Sequence, residues 1–403
     1  MNPHSKGIFK QVKIALVYDW LNAPYGGAEQ IISLLHAALP SAPIFSTIHN
    51  SQDTPWTSGM DIRTTWLQSL PFAQKNHILY SPLMPMAIES LDLSDYDIII
   101  SISSAVAKGV LTKPNQLHIC YLLTPTRYLH FVDPSTNDSL TLPKIPILSK
   151  LFMGFKKYAH RWDMLSARRP DVVIPISKLV SERASKVYKI SPKSPLYPPS
   201  MASRITDKIR FSEELVLCIS RLVPYKNISM VIDACCSLDK TLVVAGSGRS
   251  FSVLVKHAGE RAIVRKSQES LQEFYERAIA TEKRILFANS CSVKERNALL
   301  NSATTVVTPA LEDYGISSID AVLSGCKLIT HNKSGSSEIL KNIQGVILLD
   351  KPSSNSIATA LIQLANMPKP TATKVLRDRT DSSLFLKEFE TIVYDAWQEH
   401  NKV

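Results

Sequence analysis

The sequence predicts an α/β protein made of two doubly wound lobes, each a parallel sheet packed between helices. Three observations predict it. Short apolar runs recur along the chain, each followed by a stretch of helical periodicity, and that alternation builds parallel sheets. A length of 403 residues exceeds what one ordinary core organises. The series breaks at Ser194-Pro-Leu-Tyr-Pro-Pro199, where prolines forbid a continuing element.

In chain order, the first lobe takes residues 1–199. Lys13-Ile-Ala-Leu-Val-Tyr18 reads as a buried strand, and Gly26-Gly27 opens a helix whose apolar face is Ile31, Leu34, Leu35 and Leu39. Further strands are expected at 98–102, 117–122 and 172–176, with Ser177 as the N-cap of the next helix. A linker runs to about Arg210, and the second lobe takes residues 211–382. Its strands are expected at 215–219, 241–245, 284–287, 304–308, 327–330 and 346–349. The last helix, within 383–403, carries Phe385, Phe389, Ile392 and Trp397 at helical spacing, a stripe expected to pack back on the first lobe. Ligands of such sheets sit at the carboxyl ends of the strands, so a cleft between two facing lobes is the expected site.

Composition narrows the function classes. The apolar share of 45% lets both lobes bury cores, and the net charge of +11 suits an anionic partner. Residues 140–193 hold 12 Lys/Arg against 3 Asp/Glu, which is +9 of that charge. The six cysteines show no C-x-x-C spacing and no His at zinc-finger distance, so no metal site is expected and a reducing cytosol fits. No apolar run reaches the ~18 residues of a spanning helix, and the N-terminal stretch does not read as a signal peptide.

The residues that carry chemistry follow strand ends. Arg221 and Lys226 lie in Ser220-Arg-Leu-Val-Pro-Tyr-Lys-Asn227, after the first strand of the second lobe. Two cations there can neutralise a diphosphate and hold the charge that grows as it leaves. Taken alone, the pair equally fits solvated surface cations. Gly246 and Gly248 end the next strand, where small residues permit close backbone approach, although a lone G-x-G also fits a tight turn. Glu312 and Asp320 lie eight residues apart across Gly315. Eight helical residues span about 12 Å, too far for two acids acting on one glycosidic bond. They suit the two ends of one ligand instead: Glu312 toward sugar hydroxyls, Asp320 toward ribose hydroxyls. The backbone of Gly315, Ile316 and Ser317 would face phosphates at the helix N-terminus.

In order and spacing, ISRLVPYKN, VVAGSG, ALLNSATTVVTPALEDYGISSIDAVLSGCKLIT and SGSSEIL resemble glycosyltransferase family 4, the glycosyl transferases group 1. KIALVYDWLNAPYGGAEQ, SSAVAKGV, YLLTPTRYL and YPP agree, so the likeness runs from about residue 12 to 350. The resemblance implies the GT-B fold, two facing Rossmann-like domains. It implies a retaining transferase that uses a nucleoside-diphosphate sugar, GDP- or UDP-linked, with no other cofactor and no metal. The most similar members add mannose-like sugars to lipid-linked or lipopolysaccharide acceptors. Carried over residue by residue, the pattern puts the diphosphate on Arg221 and Lys226, the donor sugar on Glu312 and the ribose on Asp320. Gly26 and Gly27 would lie in a first-lobe loop that closes over the phosphates. Two positions depart from the pattern. Asp320 stands where the family has Glu, and Leu123 stands where YLLTPTRY usually carries a His near the reacting carbon. Since the leaving phosphate oxygen can act as base in retaining transfer, loss of that His need not end catalysis.

Residues 144–162 interleave basic and aromatic side chains, among them Lys150, Phe152, Phe155, Lys156, Lys157 and Trp162. The stretch suits an anionic membrane surface and a peripheral protein on the cytoplasmic, inner face. It also fits an ordinary helix with a solvated basic face. No nucleic-acid-binding module is present. A non-catalytic nucleotide-sugar binder of the same fold is the second expectation. A nicotinamide oxidoreductase is disfavoured by the missing G-x-G-x-x-G after either first strand.

Overall fold

The computed structural model describes residues 12–22, 25–131, 146–200, 202, 209 and 214–402, with the backbone alone for 146–153. The chain forms two compact units, residues 1–199 with 379–403 and residues 200–378. Lys144, at the start of the predicted basic stretch, lies outside the described residues, as do the side chains of Lys150 and Phe152.

The first unit holds strands β1 (Ile14–Tyr18), β2 (Ile44–Ser46), β3 (Ile62–Thr64), β4 (Ile98–Ser103), β5 (Leu117–Leu122) and β6 (Val172–Pro175). They pair in the order β3-β2-β1-β4-β5-β6, and every pairing is parallel. β1, β4 and β5 are buried along their full length, as unbroken apolar runs in a sheet covered on both faces should be. β2 and β3, absent from the sequence reading, are three-residue strands with too little pattern to announce them. The helices are α1 (Gly27–Ala38), α2 (Met84–Glu89), α3 (Arg127–His130), α4 (Pro146–Ser166) and α5 (Lys178–Tyr188). Ser177 caps α5 by accepting from the Val180 amide, the predicted role.

The second unit holds β7 (Leu215–Ile219), β8 (Thr241–Ala245), β9 (Ala262–Val264), β10 (Ile285–Asn289), β11 (Thr305–Thr308), β12 (Lys327–His331) and β13 (Val346–Leu349). Their order is β13-β12-β11-β7-β8-β10-β9, again all parallel. Between and after them run α6 (Ile228–Ser237), α7 (Phe251–Ala258), α8 (Leu271–Ala280), α9 (Val293–Ser302), α10 (Ile316–Leu323), α11 (Ser337–Leu340), α12 (Ser354–Ala365) and α13 (Lys374–Arg379). Ser270 and Ser292 start α8 and α9 with capping boxes to Glu273 and Glu295. One side of this core joins Val216, Val231, Ile232, Leu242, Phe287 and Ile357.

The last helix, α14 (Ser382–His400), belongs to the first unit. Phe385 and Phe389 are buried and meet Tyr121 of β5 edge-on at 5.9 and 6.4 Å, so the terminal apolar stripe covers that sheet. All six cysteines are free. Burial pushes the thiols of Cys120, Cys218, Cys235 and Cys326 up to about 12, which keeps them as inert packing groups.

Candidate active site

In a doubly wound sheet the loops part where the strand order reverses, and a crevice opens at the carboxyl ends of the two strands there. In the second unit that point lies between β7 and β11. The loop after β7 carries Arg221 and Lys226, and the loop after β11 carries Glu312. They converge: Lys226 Nζ donates to Glu312 Oε1 in an ion pair whose side chains are 10% and 20% exposed. Pro224 fixes φ at the start of a 3₁₀ turn, Pro224–Lys226. Asn227 then turns left-handed, with φ 55°, to enter α6. Lys226 Nζ also lies 5.1 Å from the Tyr225 ring centroid. Glu312 is fixed through its backbone. Its N–H donates to Ser334 Oγ at 3.0 Å, and its carbonyl accepts from the Gly335 N–H at 3.0 Å. An ammonium has three donors and Glu312 uses one, so the others can serve a phosphate oxygen. Arg221 is exposed on the same loop and forms no ion pair among the described residues.

Gly246 and Gly248 have a cause within the fold itself. Their φ angles are 141° and 153°, and a Cβ would overlap Ser220 O at Gly246 and Leu222 O at Gly248. The loop carrying Arg221 lies directly on them: the Leu222 N–H donates to Ser247 O at 2.8 Å and the Ser220 N–H to Ala245 O at 3.1 Å. The two glycines hold the cationic loop against β8.

Gly315 caps α10 with φ 87°, which favours glycine. A Cβ there would stand 3.0 Å from Ser336 Oγ and 3.3 Å from Glu312 Cβ. The first amides of α10, on Ile316 and Ser317, have no intrahelical acceptor and stand at the positive end of the helix. Both residues are half-buried, so that end is reachable. Ser336 Oγ beside Gly315 is buried and has no hydrogen-bond partner among the described residues.

Asp320, expected to accept from ribose hydroxyls, lies inside the fold. It is the fifth residue of α10 and 0% exposed. Its Oδ2 is ion-paired with Arg296 Nη2 from α9, and its Oδ1 accepts from Ser200 Oγ. A buried pair broken by removing one partner costs about 3–5 kcal/mol, so this carboxylate is firmly held. Arg296 was missed in the sequence. The signal was there: Arg296, Leu299, Leu300 and Ala303 share one helical face, and the last three are buried.

In the first unit the strand order reverses between β1 and β4. That point is filled from within. Asp19, 1% exposed, accepts from the amides of Ser104, Ala105, Val106 and Ala107 at 2.6 to 3.0 Å, and from Ser104 Oγ at 2.8 Å. SSAVAKGV is therefore a nest of amides around the chain's own carboxylate, a role not legible from either segment alone. Gly26 caps α1 in extended conformation and Gly27 is its first residue. Leu123, 8% exposed, ends β5 with its N–H on Ser103 O at 2.9 Å. Neither nearby His is free to replace the missing one. His118 is buried against Ser101 Oγ at 2.8 Å, and His130 Nε2 is bonded to Asp163 Oδ2 at 2.7 Å.

Within the basic stretch, the expectation for Trp162 needs correcting. Trp162 is 8% exposed, belongs to the core with Ala105 and Val106, and donates to Glu89 Oε1 at 2.6 Å. Its ring lies against Gly109, where a Cβ would overlap it. It cannot be a membrane anchor. Lys156, Lys157 and Arg161 are exposed, and Tyr158 is 46% exposed. Among the described residues no helix is long and apolar enough to cross a membrane, and no group of three His, Cys, Asp or Glu side chains is gathered as a metal site.

Residues 203–377, within the second unit, match the family model described as Glycosyl transferases group 1. No curated protein sequence matches the chain. In structure, 95% of the chain aligns with all of HepE of Anabaena in complex with UDP, at 14% identity and a TM-score of 0.59. Sucrose-phosphate synthase from Thermosynechococcus elongatus aligns over 96% of this chain and 98% of its own, at 13% identity and a TM-score of 0.61. The lipopolysaccharide outer core galactosyltransferase WaaB, in its apo form, aligns over 95% and 99%, at 16% identity and a TM-score of 0.57. What is shared at such identities is the architecture, the two-domain α/β GT-B fold.

Proposed function

We propose that this protein is a metal-independent, retaining glycosyltransferase that moves a mannose-like hexose from a GDP- or UDP-linked sugar to a lipid-linked or polysaccharide acceptor. The observation that carries the proposal is the Lys226–Glu312 pair at the reversal point of the second sheet. It lies inside the segment that matches Glycosyl transferases group 1. HepE, of the same fold, binds UDP, which supports a nucleotide-linked donor.

Each residue has a task in this reading. Arg221 and Lys226 balance the donor diphosphate and the charge that builds on it as the glycosidic bond breaks. Glu312 accepts from sugar hydroxyls and holds Lys226 in place. The amides of Gly315, Ile316 and Ser317 receive phosphate oxygens. Gly246 and Gly248 keep the Arg221 loop in position, and Gly26 and Gly27 supply a helix start in the first unit for the phosphate side. The leaving phosphate oxygen takes the acceptor's proton, so no protein base is required. The first unit binds the acceptor, and the exposed cations of α4 attract an anionic membrane surface on its cytoplasmic face.

A second reading, a nucleotide-sugar binder that no longer transfers, is favoured by Leu123 in place of His and by the buried Arg296–Asp320 pair. Incubation with GDP- and UDP-sugars, with and without lipid-linked or glycan acceptors, separates the two. Nucleotide release with an α- or β-anomer matching the donor supports the retaining transferase. Tight nucleotide binding with no release from any sugar supports the binder.

A further inference from the structure

We propose that Arg296 determines how this protein reads a nucleotide. By locking Asp320 in a buried pair, it removes that carboxylate from ribose recognition, so ribo-, 2′-deoxy- and 2′,3′-dideoxynucleoside diphosphates bind alike. The inference rests on the donor-site reading above and names its substrate class: donors selected without their ribose diol.

Both oxygens of Asp320 are engaged and none of its surface is exposed. Ser200 is itself oriented for this contact. Its Oγ accepts from the Ala202 N–H at 2.9 Å, which leaves the hydroxyl proton for Asp320. Among the described residues Arg296 forms no ion pair besides that with Asp320. Its neighbour Glu295 is committed to Arg265 Nη2 at 2.5 Å and to the α9 cap through the Ser292 N–H at 2.8 Å. A ribose hydroxyl reaching Asp320 would have to displace a guanidinium that never loses its charge and would stay buried. One neutral hydroxyl gives back less than that contact provides.

The test compares the affinities of UDP, GDP and ADP with those of their 2′,3′-dideoxy counterparts, by calorimetry on the full chain. A hydroxyl bonded to an open carboxylate is worth about tenfold or more in affinity. The wild-type ratio of ribo to dideoxy affinity is expected to stay below about fivefold, and a larger ratio overturns the proposal. In Arg296→Gln, with Asp320 released, the ratio is expected to exceed about tenfold, and to fall again in the Arg296→Gln/Asp320→Asn pair. A folded Arg296→Gln with the wild-type ratio overturns the assignment to Arg296. Should that variant not fold, the wild-type ratio decides. If none of the three diphosphates binds at all, the donor-site reading fails and this proposal goes with it. Binding with strong ribose discrimination sinks only the proposal.

Discussion

Lys226 and Glu312 stand 86 positions apart in sequence and meet in one ion pair. Each was visible beforehand for the same reason: a charged residue in a loop that directly follows an apolar strand points toward ligand chemistry. What they touch was not visible, because it depends on which two strands lie side by side. Asp320 shows the opposite outcome. Its spacing from Glu312 was legible, but its burial under Arg296 was not, since α9 and α10 meet only in the tertiary fold. Gly246 lies between these cases, a small residue visible in the sequence whose backbone neighbour could not be named. Gly246→Ala should therefore lower stability by about 2–4 kcal/mol, because a main-chain oxygen cannot step aside. Urea denaturation checks it, and an unchanged midpoint would mean the loop carrying Arg221 is free to move.

At the scale of elements, the long buried strands were legible and the three-residue strands β2, β3 and β9 were not. Helix α4 read as a basic amphipathic surface element, yet its C-terminal half is pinned inward. Asp163 Oδ1 accepts from Lys108 Nζ and Thr126 Oγ1, both at 2.6 Å, and its Oδ2 accepts from Tyr188 OH at 2.8 Å. Lys108 and Asp163 are each 1% exposed. Lys108→Met should destabilise the first unit by about 3–5 kcal/mol, as removal of one member of a buried pair does. Burial works against the Asp163 carboxylate, but Lys108 and the hydrogen bonds from His130 and Thr126 hold it well below the usual range. Burial likewise opposes the charge on Lys108, and Asp163 overrides it and holds Lys108 above its ordinary value. The pair thus contributes fully from above the carboxylate range to just below the lysine range. It is lost as pH falls through the depressed Asp163 value, or rises through the elevated Lys108 value. Histidines whose pKa burial lowers set the start of the acid limb, among them His77, pushed down to about 4, and His118. Burial pushes His118 from 6.5 down to about 3, so the unfolded chain takes up its proton first and stability falls from about pH 6.5 toward 3. His118→Gln should flatten that limb in denaturation measured across pH. A limb of unchanged steepness would show that His118 is not buried neutral.

The whole molecule carries its charge unevenly, with +9 of +11 in residues 140–193. Lys156, Lys157 and Arg161 are exposed while Trp162 is not, so the membrane contact proposed above would rest on charge rather than on an inserted ring. Vesicle sedimentation should show binding that needs anionic lipid and weakens as salt rises. Equal binding to neutral vesicles would contradict the role given to α4. The two parallel sheets and the sheet-covering terminal helix follow from patterns that a long chain repeats, and so could be read early. The site could be read only as a set of loop positions, because its contacts join segments that the strand order brings together. The central claim is that the reversal point of the second sheet handles a nucleotide-linked sugar through Lys226. Nucleotide release from GDP- and UDP-sugars, assayed with acceptor for the wild type and for Lys226→Ala, tests it most directly. The wild type should turn over at least one donor, and the variant should lose about 10²–10³ in rate while still binding acceptor. Equal rates in the two proteins would contradict it.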